Sequence, residues 1–324
     1  MTNIVHVAGS GRCGTTVLNK ILGQHSDIIV TPPWRFMIDP DGVIDFMKTS
    51  QICWSPYHID IRLKRMRAIL KDVSKPVLPI SILEKMGLRQ WARKLGVGLL
   101  PRYPHLNANE FCFCFDEVAE ELLINCTDFD YKANWVGTRF FEKHEMKYTA
   151  MDNDVVNHCR EFYQKIVNSV CIQNNVSVLI DRNTWNHLWL DQFLKLDPSI
   201  KLLHIHRHPL DVISSFMAQN WMPNTAVEAS KIYMGIMNRW WQVEKLVPPE
   251  SFIDISLEHM VENTSDELNR ICNFIELPFD AKMFEVSLSK ANTHRWKKDI
   301  SKDCLCQIMP IIEPALSRYN YAVE

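Results

Sequence analysis

Residues 9–16 read Gly-Ser-Gly-Arg-Cys-Gly-Thr-Thr, so Gly9 and Gly14 stand five apart with two threonines behind them. Glycines at this spacing let a loop turn its N–H groups inward. A helix that starts behind the loop aims the positive end of its dipole at the same point. Such a loop suits a phosphate or a sulfate group. A nucleoside-triphosphate loop of this spacing carries lysine after the second glycine. Here Thr15 holds that position, and the cation is Arg12, inside the loop. A triphosphate with magnesium would lack its usual lysine. Ser10, Gly11, Arg12, Cys13, Gly14, Thr15 and Thr16 are therefore the candidate anion-binding residues.

A second constellation is His206-Arg-His-Pro-Leu-Asp-Val-Ile-Ser-Ser215, in which Arg207 precedes Ser215 by eight residues. Arg207 lies just beyond the apolar run Leu202–Ile205, and an arginine at a strand's carboxyl end faces the crevice where open α/β sheets bind ligands. A guanidinium and a hydroxyl together hold a phosphate, the former through paired charged hydrogen bonds. Two further cationic stretches are Asp181-Arg-Asn-Thr184 and Thr293-His-Arg-Trp-Lys-Lys298.

These residues need a scaffold, and the hydrophobic pattern supplies one. Ile4–Ala8 reads as a buried strand running into the glycine loop, and Thr15–Gln24 as the helix behind it. Cys159–Ile172 is predicted helical, Val176–Ile180 a strand and Trp185–Leu196 a helix. Leu202–Ile205 is a strand followed by a helix over about 211–219. Ala226–Lys245 and Leu257–Phe274 read as long helices on either side of the strand Phe252–Ile255. Strands separated by helices imply a parallel sheet covered on both faces, with right-handed crossovers. The stretch Asp39–Tyr148 breaks the rhythm with Pro40, Pro56, Pro76, Pro79, Pro101 and Pro104 and with basic helical segments such as Ile61–Leu70. It reads as a mostly helical cap, about 39–150, inserted within a single domain of 1–324.

Composition narrows the partners. Lysine and arginine number 36 against 38 aspartates and glutamates, a net charge of −2. Bulk electrostatic binding to nucleic acid or to an anionic membrane needs a basic surface, so both are excluded as partners. No apolar stretch reaches the roughly 18–20 residues of a membrane helix, and the first residues lack a secretory pattern. A cytoplasmic protein is expected. Its ten cysteines are scattered and form no zinc set, so reduced thiols and no metal are expected.

Taken together, the two motifs resemble the sulfotransferases that use 3'-phosphoadenosine 5'-phosphosulfate (PAPS). The resemblance covers the sheet core and the C-terminal segment, while Asp39–Tyr148 offers little to match. It implies a P-loop NTPase-like three-layer sandwich, α/β, with a central parallel sheet flanked by helices. It also implies PAPS as donor, the desulfated PAP as product, and no metal. By resemblance, Arg12, Thr15, Thr16 and the loop amides would hold the 5'-phosphosulfate. Arg207 and Ser215 would take the 3'-phosphate, and Arg295, Trp296 and Lys297 would close over the nucleotide. Arg182 would stabilise charge at the transferred group.

One position departs from the family pattern. Many bacterial and protein-tyrosine members carry a glutamate base two residues before an arginine, and Thr31-Pro-Pro-Trp-Arg-Phe36 has Pro33 there. Asp45 and His58 are the replacement candidates, with His187 also near the expected cation site. Asp39 and Asp41 belong to Asp-Pro-Asp-Gly, a turn signature in its own right. Trp34, Arg35 and Trp54 are candidate acceptor-binding residues. The expected acceptor is a hydroxyl or amine of a small specialised metabolite, with a cationic or guanidinium compound one option if the acidic run 116–121 lines the pocket. The chain would be a monomer or a homodimer. Two other readings remain at this point: a metabolite kinase, and a PAP-binding relative without turnover.

Overall fold

The computed structural model describes residues 3–75, 106–134, 144–287 and 293–322. Pro76, Pro79, Pro101, Pro104 and Trp135 lie outside them. The chain divides into two compact units, one of residues 1–33, 175–194 and 198–324, the other of 34–174 and 195–197.

The first unit opens with strand β1 (Asn3–Ala8), helix α1 (Thr15–Leu22) and strand β2 (Ile28–Thr31). The chain then builds the second unit. This comprises helices α2 (Arg35–Ile38), α3 (Val43–Ile52), α4 (Pro56–Val73), α5 (Ala108–Phe111) and α6 (Phe115–Asn125), strands β3 (Phe129–Ala133) and β4 (His144–Tyr148), and helix α7 (Val155–Asn174). It returns with β5 (Val178–Asp181), α8 (Leu190–Leu196), β6 (Lys201–His206), α9 (Pro209–Met217) and α10 (Ala226–Glu244). The unit ends with β7 (Phe252–Ser256), α11 (Leu257–Glu262), α12 (Thr264–Phe274), the single turn α13 (Trp296–Asp299) and α14 (Lys302–Arg318).

The strand order is β2-β5-β1-β6-β7, and all pairs are parallel. A sheet covered on both faces buries every residue of its inner strands, which is why Ile4 to Ala8 and Val178 to Asp181 show no solvent-facing alternation. The connection after β1 runs toward β2, and that after β6 runs toward β7. The order therefore reverses between β1 and β6, and the crevice for a ligand opens at their carboxyl ends. The glycine loop and Arg207 both leave the sheet there.

One face of the sheet is lined by His6, His204, His206 and Asp254. His204 Nδ1 lies 2.6 Å from the Asp254 carboxylate, and Trp240 of α10 packs 4.8 Å from the His204 ring. Burial, joined at His206 by the charge of His204, depresses both His6 and His206 to about 3, so both sit neutral in the core. For Asp254, burial pushes the carboxyl up, but the His204 contact outweighs it and holds it low.

Several elements differ from the sequence reading. The third sheet strand in the chain begins two residues later than expected, at Val178. The helix expected from Trp185 starts as a 3-10 turn over Asn186–Trp189 before α8. The long helix from Leu257 is broken at Asn263 (φ −125°, ψ 48°), a non-helical residue that ends α11 and precedes α12. The β3–β4 hairpin within the second unit is antiparallel and was not foreseen.

The second unit is built on aromatic rings. Trp34 stacks on Phe36 and Phe111 at 6.0 and 5.7 Å and meets Tyr163 edge-on, while Phe115 packs on Phe162. That core takes in more chain than the proline-rich stretch 39–150.

Candidate functional site

The glycine loop is shaped by contacts that only glycine permits at two points. A Cβ at Gly9 would stand 2.2 Å from the carbonyl oxygen of Ile205, so the loop lies directly against β6. Gly14 has φ +111°, a backbone conformation that side-chain-bearing residues rarely adopt, and lies against Leu257 and Ile205. Arg12 is itself left-handed at φ +58°. The Gly9 N–H donates to the Thr184 carbonyl at 2.9 Å, which ties the loop to the segment after β5. Gly14 caps α1 with no side chain, so the first N–H groups of the helix face outward beside the buried Thr15 and the exposed Thr16. Cys13 is fully buried and burial pushes its thiol up, so it offers the loop only its backbone. The Ser10 hydroxyl donates to the Gly11 carbonyl at 3.2 Å.

The two motifs meet. Arg12 Nε donates to Ser215 Oγ at 2.9 Å across 203 residues of chain, and Arg207 Nη1 reaches the Arg12 carbonyl at 3.4 Å. Arg207 and Ser215 are buried, at 8% and 4% exposure. Sequence reasoning put Arg12 with the first anion; its side chain here donates to Ser215.

The peptide around Arg207 is fixed from several sides. Asp211, 1% exposed, lies 3.3 Å from Arg207 Nη2 and accepts the backbone N–H groups of His294 (2.9 Å) and Trp296 (3.1 Å). Ser214 donates to Asp299 at 2.5 Å, and Arg295 Nε donates to the same carboxylate oxygen at 2.6 Å. The His208 N–H donates to Glu258 at 2.9 Å, and the Tyr321 hydroxyl bridges Glu258 (2.9 Å) and His206 Nδ1 (2.8 Å). His208 stacks over Trp296 at 6.1 Å. Arg295 and Lys297 are exposed, and Trp296 is buried under them.

Beside α1 runs a cleft of about 390 Å³ lined by Thr15, Thr16, Lys20, Pro33, Arg182 and Thr184, with Asn19, Gln24 and Val30 along its length. Arg182 is exposed and follows Asp181, a buried carboxylate that accepts the Asn183 N–H at 3.0 Å and the Asn186 side chain at 2.7 Å. That turn points the cation's segment into the cleft wall. Among the described lining residues there is no aspartate, glutamate or histidine. His187 lies in the core against Trp240 and His204, fully buried. Burial and then His204 hold it well below the usual histidine range, against a weaker pull from the Thr184 backbone.

The remaining candidates belong to the second unit. Asp45 accepts the Asp41 N–H at 2.9 Å and Arg62 Nη1 at 2.8 Å, and Arg62 also holds Asp41 at 2.6 Å. Its carboxylate is thus committed to a structural cluster at the start of α3. Asp39 pairs with the exposed Arg35 at 3.2 Å and closes the 39–42 turn through its carbonyl, so Asp-Pro-Asp-Gly is a turn. His58 is exposed at the start of α4, 3.1 Å from the Ser55 hydroxyl that caps the helix. The Trp34 reading as an acceptor wall does not hold: the ring is 0% exposed, enclosed by Phe36, Phe111 and Tyr163. Trp54 is half-buried and donates to the Thr149 carbonyl at 3.0 Å.

Sequence reasoning passed over Asn19 and Lys20 in the cleft and Glu258 and Tyr321 around Arg207, and gave no role to Thr184 or Asp211 within the segments it singled out. Asn19 and Lys20 were discoverable, being one helical turn behind Thr15 and Thr16 on the same face. Nothing local marks Tyr321.

The sequence model described as "Sulfotransferase family" matches residues 104–281. That span holds Arg182, Arg207 and Ser215 but not the glycine loop. No curated protein matches the chain. Among solved structures, the sulfotransferase domain from the curacin biosynthetic pathway is 11% identical, with a TM-score of 0.51, covering 100% of this chain and 99% of that one. The sulfotransferase domain of an olefin synthase from Synechococcus PCC 7002 is 14% identical (TM-score 0.49, 100% and 98% covered). A sulfotransferase from Mycobacterium avium is also 14% identical (TM-score 0.44, 100% and 78% covered). The first of these shares the fold: a central parallel sheet flanked by helices. Among the described residues no helix is long and apolar enough to cross a membrane.

Proposed function

Since this chain belongs to the sulfotransferase family, we propose that it takes the sulfuryl group from PAPS and passes it to a hydroxyl or amine of a small metabolite in the cytoplasm. The observation that carries the donor assignment is the 2.9 Å bond from Arg12 to Ser215 beside Arg207. PAPS has a phosphate near each end of its ribose and needs two anion sites a sugar ring apart. The glycine loop with the start of α1 fits the 5'-phosphosulfate, and Arg207, Ser215 and Arg12 fit the 3'-phosphate. Arg295, Trp296 and Lys297 close that end. When bound, PAPS supplies an activated sulfuryl group. The chain's part is to orient it and to meet developing charge, for which Arg182 and the N–H groups of Thr15 and Thr16 are available.

Pro33, at the sequence position where many bacterial members of this family carry a glutamate, lines the cleft. With no carboxylate or imidazole among the described lining residues, an amine that is partly deprotonated in water suits the cleft better than an alcohol. The same observation favours a second reading, a PAP-binding protein without turnover. Calorimetric titration with PAP, and separately with ATP and magnesium, tests the donor. Tight PAP binding with negligible ATP binding is expected, and the reverse would make the chain a kinase. Labelled PAPS offered to amine and alcohol panels then separates a transferase from an inactive binder.

A further inference from the structure

One carboxylate holds the basic turn 293–299 against α9. The two Asp211 oxygens accept the N–H groups of His294 and Trp296, and the same residue pairs with Arg207. His294 is left-handed (φ +63°) and Arg295 right-handed (φ −58°, ψ −34°). Alternating hands turn successive N–H groups to one side and make a concavity for an anion. Here the Asp211 side chain fills it. Just under one helical turn further along α9, Ser214 donates to Asp299, the last residue of the basic turn, which also takes Arg295. Asp211 and Ser214 thus grip the segment at its start and its end.

We propose that Asp211 is a positioning residue that couples the two halves of the second anion site. It aims the Arg207 guanidinium, and it docks the turn bearing Arg295, Lys297 and Lys298. The reasoning is electrostatic. A guanidinium buried to 8% exposure needs a counter-charge, and two inward-facing N–H groups need an acceptor. Asp211 meets both needs with one group, so neither half is ordered without the other. This rests on the donor reading for the identity of the ligand, but the docking itself does not.

The test uses the full chain, with trypsin cleavage after Arg295, Lys297 and Lys298 followed by mass spectrometry and PAP affinity followed by calorimetry. In the unsubstituted protein PAP should slow cleavage at these sites. Asp211→Asn keeps the shape but removes the charge. It should bind PAP about tenfold to a hundredfold more weakly, the scale of a lost charged hydrogen-bond partner. Cleavage should speed up even without PAP, and saturating PAP should no longer slow it. A folded Asp211→Asn protein with unchanged cleavage and unchanged PAP protection overturns the proposal. Should that variant not fold, Ser214→Ala releases only the far grip. Faster cleavage with weaker PAP binding supports the coupling, and no change in either overturns it. If the unsubstituted protein binds no PAP, the donor reading fails on its own, and the ligand-free cleavage rate of Asp211→Asn still decides whether Asp211 docks the turn.

Discussion

Two glycine-to-alanine changes should move stability in opposite directions, and the difference is set by what each Cβ meets. At Gly9 the new carbon would stand 2.2 Å from the Ile205 carbonyl oxygen and 2.7 Å from Cys13 Sγ, far inside the 3.0 Å that such contacts keep. The oxygen belongs to β6, which is held between β1 and β7 and cannot retreat. The loop must move instead, stretching the 2.9 Å bond from the Gly9 N–H to Thr184. Overpacking costs about 1–3 kcal/mol and a lost hydrogen bond about 1, offset by a few tenths to 1 from the stiffer unfolded chain. The net loss is about 1–4 kcal/mol. Gly235 sits in the exposed middle of α10 with nothing within 4 Å of its Cβ. Alanine there should add about 0.5–1 kcal/mol. Urea unfolding of both variants reads the pair, and PAP titration of Gly9→Ala reads the loop, which should lose most of its affinity. A Gly9→Ala protein as stable as the parent and equally able to bind would refute the placement of the loop against β6.

Arg207→Ala should weaken PAP binding by about 2–3 kcal/mol and Ser215→Ala by about 1, a charged against a neutral hydrogen-bond partner, with calorimetry as the readout. Equal affinity in all three proteins would move the 3'-phosphate elsewhere. Asp45→Asn should leave turnover within about twofold and cost under about 1 kcal/mol, because its ion pair with Arg62 is a third exposed on each side. Loss of turnover there would restore Asp45 as the base. The pH dependence follows from His6 and His206, both held to about 3. Unfolded histidines take a proton near 6.5, so the unfolded state binds more protons between these values. Stability is full above about 6.5 and falls as pH drops toward 3, by up to about 1.4 kcal/mol per unit for each ring. Urea midpoints at pH 7.5 and 5.0 should differ in that direction, and equal midpoints would mean that these rings are not held neutral.

The glycine loop was legible because its conformation is local. Glycine spacing, Arg12 and the following helix are contiguous, and the conformations at Gly11 and Gly14 depend on the residues themselves. The parallel sheet was legible for a similar reason, since buried strands such as Ile4–Ala8 announce themselves as unbroken apolar runs. Arg207 was placed correctly at a strand end because the strand before it is apolar and the helix after it begins at Pro209. What the local pattern did not contain was the partner of each group. Trp34 and Asp45 have the side chains of ligand and catalyst. Trp34 is closed off by Phe111 and Tyr163, far along the chain, and Asp45 by Arg62.

The sequence by itself determined the strands and helices that carry the glycine loop, Arg207 and Ser215, because propensity and periodicity act over a few residues. Tertiary structure alone decided that Arg12 turns to Ser215, that His187 is neutral core, and that Asp211 joins Arg207 to the turn at His294. Those outcomes depend on burial and on contacts between segments some 80 to 200 residues apart, which no local pattern encodes.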